Sequence, residues 1–290
     1  MKIIDPHLHF FDLEHGDYKW LDIENPPHWP LKHTINRNFD ESSIILSSSL
    51  EIAGYVHIEA GYNNQQSWEE VALWQKKATL PFRAIQCADL TEHPEIFRMG
   101  LACGLNNTSL VGVRHIIDDY NVLSHVNFLE NLQLLAKLNL IFELQCDLRC
   151  VDTTNALMNA LENVPNLSVS LNHLGFIPAQ NTQPYQHWLS HFKALIQHRH
   201  LGIKVSGLEM RQSDVTPDDI ARTLDPCLTE ASIDSIMMAS NFPIVTFVNS
   251  YQGYWQTVIN VIDRLGVKTD LLVAENAFQQ YFARQIKPLS

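Results

Sequence analysis

From position 54 onward a short run of β-branched or apolar residues returns about every 30 residues, and each run is followed by a stretch of helical periodicity. The runs are Gly54–Ala60, Phe82–Ala88, Leu110–Ile117, Leu140–Cys146, Leu167–His173, Leu201–Ser206 and Ser235–Asn241. The apolar opening around Ile3 and Ile4 makes an eighth. The segments between carry helix signals. Ser67-Trp68-Glu69-Glu70 has capping-box spacing, and Thr216-Pro217-Asp218-Asp219 offers an N-cap, a first-turn proline and acids near the positive helix end. Phe128, Leu129, Leu132, Leu135 and Ala136 form an apolar stripe suited to lie on a sheet. Eight strand-then-helix units with right-handed crossovers predict an α/β fold, a (β/α)8 TIM barrel, as one domain over residues 1–290. The rival, a doubly wound open sheet, usually carries a glycine-rich phosphate turn after its first strand, where this chain has His7-Leu8-His9-Phe10-Phe11. Residues 10–50 hold Tyr18, Trp20 and Pro26-Pro27-His28-Trp29-Pro30, so an extended aromatic and proline-rich loop is expected to fold over one end of the barrel.

Charge narrows the partners. A net charge of −12 argues against nucleic acid, whose phosphates need a basic surface, but leaves a small anionic substrate open, because a pocket can be locally positive. No basic stretch leads an apolar run at the N-terminus, and no apolar stretch is long enough to span a bilayer. Five cysteines without a Cys-x-x-Cys pair read as reduced thiols, so the expected compartment is the cytoplasm and the expected partner a small molecule, with no membrane. Pairing of two copies through outer helices, a homodimer, is the assembly such barrels often adopt.

Barrel chemistry gathers where the strands end. Those ends are polar here: His7 and His9, His57 and Glu59, Arg114 and His115, Glu143, Gln145 and Asp147, His173, Lys204 and Ser206, and Asn241. His7 and His9, two apart on a strand, share a face and could grip one ion or bracket one substrate oxygen. Asp5 is expected on that face, orienting a ring by accepting its second N–H. Arg114 and Lys204 are candidates to clamp a substrate carboxylate or an oxyanion, and His57, Glu59, His115, Glu143 and Trp20 complete the expected substrate contacts. Trp20 and Trp29 are read as lid packing that also gives an apolar wall.

With these residues the chain resembles the amidohydrolase superfamily, and within it the amidohydrolase 2 branch that includes sugar lactonases and other lactone hydrolases. The resemblance rests on Ile4-Asp5-Pro6-His7-Leu8-His9-Phe10 with Tyr18-Lys19-Trp20-Leu21, Gly112-Val113-Arg114-His115-Ile116-Ile117, Asn172-His173-Leu174-Gly175, Val205-Ser206-Gly207-Leu208, Ala239-Ser240-Asn241-Phe242-Pro243-Ile244 and Glu275-Asn276-Ala277. It implies that His7, His9 and His173 occupy the places of histidines that bind metal or substrate oxygen. Two departures stand out. Asn241 replaces the aspartate that usually binds metal and moves the proton of the attacking water; a carboxamide supplies neither charge nor base. The fourth strand lacks a bridging lysine, against a two-metal centre. The expectation is one loosely held divalent ion, zinc or manganese, or none.

The expected function is hydrolysis of a small lactone, carboxylate-bearing or polyhydroxy, by water attack on a carbonyl polarised by strand-end histidines, with His7, His9, His173 and Asn241 as the catalytic set. Glu59, Glu143, Asp147 or a first-strand histidine could be the base. The rivals are a metal-dependent decarboxylase of a small aromatic or muconate-type acid, and a non-catalytic barrel that binds a ligand or a protein.

Overall fold

A computed structural model describes residues 1–47 and 49–289. Eight strands, β1 (Lys2–Leu8), β2 (Glu51–Ile58), β3 (Phe82–Cys87), β4 (Leu110–Ile117), β5 (Ile141–Cys146), β6 (Ser168–Leu171), β7 (Leu201–Val205) and β8 (Ile236–Met238), form one sheet in sequential order. Every neighbouring pair is parallel. The ring closes beyond the end of β8, where Asn241 N–H donates to His7 O at 2.9 Å and His9 N–H to Phe242 O at 2.7 Å. The (β/α)8 barrel expected from the repeat is the fold.

Seven helices follow β2 to β8 in turn: α1 (Trp68–Lys77), α2 (Pro94–Gly104), α3 (Val126–Leu138), α4 (Val151–Glu162), α5 (Gln183–Leu195), α6 (Pro217–Glu230) and α7 (Tyr251–Arg264). After β1 the chain instead makes three short 3-10 turns at Lys19–Leu21, Lys32–Thr34 and Glu41–Ile44, an ordered excursion held at the mouth by Trp20 Nε1–H donating to Ala60 O at 2.7 Å. Proline blocks longer helices there.

The helix signals divide. Thr216 and Asp219 form a capping box, with Asp219 N–H donating to Thr216 Oγ1 at 3.2 Å and Thr216 N–H to Asp219 Oδ2 at 2.9 Å. The box expected at Ser67 is absent: Ser67 has helical backbone angles and its hydroxyl donates to Cys87 O at 2.6 Å. Glu70 is drawn instead into a stronger buried pairing with His57. The α3 stripe buries Phe128, Leu132 and Leu135, as its spacing requires.

One apolar core lies between strands and helices; a second fills the barrel, with Ile4, Val56, Ile58, Ile85, Ile141 and Met237. Ala277, between π-helical turns at Leu271–Glu275 and Phe278–Phe282, and Tyr281, in the second of them, close its lower end. The filled floor closes the barrel from below and leaves the strand C-terminal end open to form a site. All five cysteines are free thiols. Among the described residues no helix is long and apolar enough to cross a membrane.

Candidate active site

Strand β1 runs to its end just where the barrel seam closes, and that brings the three histidines together. The His7 and His9 rings lie 5.0 Å apart between centroids, and His7 and His173 lie 4.7 Å apart. His173 sits in a 3-10 turn at Asn172–Gly175 with a left-handed φ of 51°, pinned by Trp188 Nε1–H donating to Leu174 O at 2.7 Å. Gly207, at φ 82°, makes room for that ring: a Cβ there would lie 2.8 Å from it.

Each imidazole has a partner on its inner nitrogen. His9 Nδ1 lies 2.9 Å from Ile58 O, a pure acceptor, so Nδ1 carries the proton and Nε2 presents a lone pair. His7 Nδ1 lies 3.3 Å from Lys204 Nζ, an ammonium with no lone pair, so its proton sits on Nε2. That Nε2 is buried and has no protein partner. His173 Nδ1 bonds Ser206 Oγ at 2.9 Å. Burial, followed by nearby cations, holds all three pKa values well below the usual histidine range, so the rings are neutral near pH 7.

Above the histidines opens a cavity of about 720 Å³, within the range of small-ligand sites. His9, His173 and Asn241 share its wall with Arg114, Glu59 and Gln145, and Trp20, Pro26, Pro27 and Trp29 give it an apolar side. Arg114 Nε–H donates to Glu59 Oε1 at 2.6 Å, its Nη2 to Glu59 O at 2.8 Å and its Nη1 to Gln145 Oε1 at 3.3 Å. Arg114 is the only lysine or arginine on the wall among the described residues, and its charge is already neutralised. Asp89 and Asp118, both exposed, stand at the edge.

Several sequence expectations are corrected. His57 does not reach the cavity: Val56 and Ile58 face the barrel interior, so His57 points to the helix layer, where it pairs with Glu70 at 3.0 Å. Lys204 and Glu143 lie below the site and pair with each other at 2.7 Å, both fully buried, so neither is free to clamp substrate. Tyr281 donates to Glu143 at 2.5 Å beneath them. Asp147 pairs with Arg149 away from the wall. Asp5 orients no ring. The β1–β2 register shifts between Asp5 and Leu8, and its carboxylate takes Ser240 N–H at 3.1 Å, Ser240 Oγ–H at 2.5 Å and Tyr251 O–H at 3.1 Å. Lys204 fixes the His7 ring instead. His115 does line the cavity, its Nδ1 accepting from Leu90 N–H at 2.9 Å.

No motif or spacing points to Glu209. It lies in a 3-10 turn, Leu208–Met210, after β7, is 8% exposed, and accepts from Asn241 Nδ2–H at 2.5 Å. Burial pushes its pKa up to about 7. A glutamate in a loop with no metal-ligand spacing carries no pattern to find.

As to a metal, His9 and His173 can turn Nε2 lone pairs toward one ion, while His7 would first have to give up its Nε2 proton. Among the described residues no carboxylate lies close enough to join them. Among the described residues the set of three His, Cys, Asp or Glu ligand atoms within 4.8 Å of one another is Asp12, Glu14 and His15 near the surface, not the barrel histidines. The donors therefore fit one weakly held divalent ion and not a tightly bound one.

A filled parallel barrel with a histidine cluster at the strand ends is the architecture of a TIM-barrel enzyme. The amidohydrolase family model matches residues 108–266, more than half of the chain, and the protein belongs to that family. A relative from Sinorhizobium fredii, the uncharacterized protein y4mH, is 24% identical over 88% of this chain and 89% of its own. Among solved structures, a zinc-bound amidohydrolase from Burkholderia multivorans superposes with a TM-score of 0.78 at 16% identity, covering 97% of this chain and 99% of that one. A probable 2-pyrone-4,6-dicarboxylic acid hydrolase from Acinetobacter baumannii gives 0.66 at 16%, with 97% and 100% covered. The 5-carboxyvanillate decarboxylase of Sphingomonas paucimobilis gives 0.59 at 12%, with 97% and 99% covered.

Proposed function

We propose that the protein hydrolyses a small, uncharged polyhydroxy lactone. The observation that carries this is the charge balance of the cavity: its single guanidinium is held by Glu59, and two further acids stand at the edge. A carboxylate-bearing ring would enter without a free cation to meet it, whereas hydroxyls can use the remaining Arg114 N–H groups, Gln145 and Glu59. Trp20 and Trp29 suit the apolar face of a small ring. The same balance speaks against decarboxylation, which begins with a bound carboxylate.

In this reading the lactone carbonyl is polarised by His173 on the cavity wall, with the unpartnered His7 Nε2–H buried behind it, and Asn241 Oδ1 accepts one hydrogen of the attacking water. His9 Nε2 takes the other proton as oxygen adds to the carbonyl carbon. Collapse of the tetrahedral intermediate breaks the ring C–O bond, and the His9 imidazolium returns the proton to the leaving oxygen, giving the hydroxy acid. A divalent ion held weakly by His9 and His173 would supply Lewis-acid polarisation at the same carbonyl and, by taking up the His9 Nε2 lone pair, would leave the base role to another group.

Incubation with a panel of neutral sugar lactones and dicarboxylated lactones, read by acid release in a pH-indicator assay, tests the reading. Turnover of neutral members is expected, with a loss of about 10²-fold or more in His9→Ala. A panel without acid release, or release of carbon dioxide from aromatic acids, overturns it.

A further inference from the structure

We propose that Glu209 is a positioning residue that locks the Asn241 carboxamide with its nitrogen on Glu209 and its buried oxygen left free for the reacting water. The inference rests on the hydrolase reading and assigns a role to a residue that lies off the cavity wall. The neighbouring Met210 and Asn241 are on that wall.

A carboxamide is nearly symmetric in shape, and rotating it by half a turn exchanges a donor for an acceptor. Its backbone cannot decide between the two. Asn241 is held at both backbone ends, N–H to His7 O at 2.9 Å and O accepting from Ile244 N–H at 2.9 Å, with a left-handed φ of 55°. These contacts fix the Cα and leave the amide free to turn. Its other neighbour decides. An ionised carboxylate only accepts, so above about pH 7, where Glu209 has lost its proton, its Oε1, 2.5 Å from Nδ2, admits one orientation. Asn241 Oδ1 then has no protein partner although it is buried. It shares that condition with His7 Nε2, so a buried acceptor and a buried donor stand unsatisfied in one site.

Glu209 itself is an expensive group to keep. It is buried and, among the described residues, forms no salt bridge, so a leucine or glutamine would suit the fold as well or better. The turn that carries it is bound to the site from the other side too, because Gly207 at its start packs on the His173 ring. A cost with no structural return fits a group that sets the polarity of its neighbour. Asn241 thus keeps the acceptor that an aspartate would offer, without the charge, and Glu209 holds that charge one residue back from the cavity.

The test combines a spectroscopic and a kinetic readout on the full-length protein. In ¹⁵N–¹H spectra the Asn241 side-chain amide, assigned by its loss in Asn241→Asp, is expected to show one strongly downfield proton that moves back to the ordinary amide region in Glu209→Leu. On the most active lactone of the panel, Glu209→Leu is expected to lose about tenfold or more in kcat with little change in KM, since orientation of the nucleophile is lost and not substrate contact. Glu209→Gln can accept or donate and is expected to fall between the two. Combining it with Asn241→Asp reverses the pair: the glutamine amide donates to the new carboxylate, whose second oxygen again accepts in the cavity. The double variant is expected to recover activity above either single one. An unshifted amide signal in Glu209→Leu, unchanged kcat in every Glu209 variant, or no recovery in the double variant overturns the assignment. If the wild-type protein turns over no lactone, the hydrolase reading fails while the amide signal still judges the lock.

Discussion

Lys204 shows how much one side chain can decide. Its ammonium is fully buried between Glu143 at 2.7 Å and His7 Nδ1 at 3.3 Å, and burial lowers its pKa to about 8, so it stays charged near neutrality. Two consequences follow from that single contact set. The proton of His7 is driven to Nε2, and the barrel interior holds an ion pair whose members cannot be removed one at a time. Lys204→Met strands the Glu143 carboxylate in an apolar barrel and is expected to cost about 3–5 kcal/mol in urea unfolding, whereas Lys204→Met with Glu143→Leu should recover most of that loss. A single variant as stable as the wild type would mean that water reaches the pair. In the sequence, Lys204 and Glu143 stand out only as polar strand ends. That they face each other instead of a substrate depends on how deep each strand end sits, which no local pattern records. His57 was open to prediction from alternation alone, because Val56 and Ile58 are the apolar residues that must face inward.

At the level of elements, the strands were readable because each is a short apolar run between turns, and the helices because their stripes and caps repeat. What stayed hidden were breaks in regularity. The β1 register shift turns Asp5 away from the rings, and the left-handed turn after β6 aims His173. The π-helical turns near the C-terminus send Tyr281 up into the barrel. Each comes from tertiary packing overriding local period. The turn after β7 gives a direct check. Gly207→Ala places a Cβ 2.8 Å from the His173 ring in a backbone conformation that disfavours side chains. A stability loss of about 1–2 kcal/mol is expected from the backbone, with a much larger relative loss of activity because the ring must move. Equal activity at reduced stability would separate His173 from the chemistry.

Considered as one titrating body, the molecule places two sets of buried groups in opposition. His7, His9 and His173 have folded pKa values depressed below 6.5, so the unfolded chain binds more protons there, and stability falls as pH drops through 6.5. Asp5 and Glu209 are raised by burial, from 3.8 to about 6 and from 4.5 to about 7. Their contribution is full below the unfolded values and is lost as pH rises through 6 and 7. Between about pH 4.5 and 6 three imidazoles outweigh two carboxyls, so stability should climb with pH; near 7 the late loss from Glu209 opposes the last protons of the unfolded histidines and the gain from Lys204, whose folded pKa is lowered to about 8, so the climb should flatten. Glu209→Gln removes that late loss. Its stability relative to the wild type should therefore rise between pH 5 and pH 8, by at most about 3 kcal/mol for a shift of that size. Urea midpoints of both proteins at the two pH values measure the difference. A difference that stays constant would mean that Glu209 ionises as it does in water, and that the carboxylate facing Asn241 costs the fold nothing to keep.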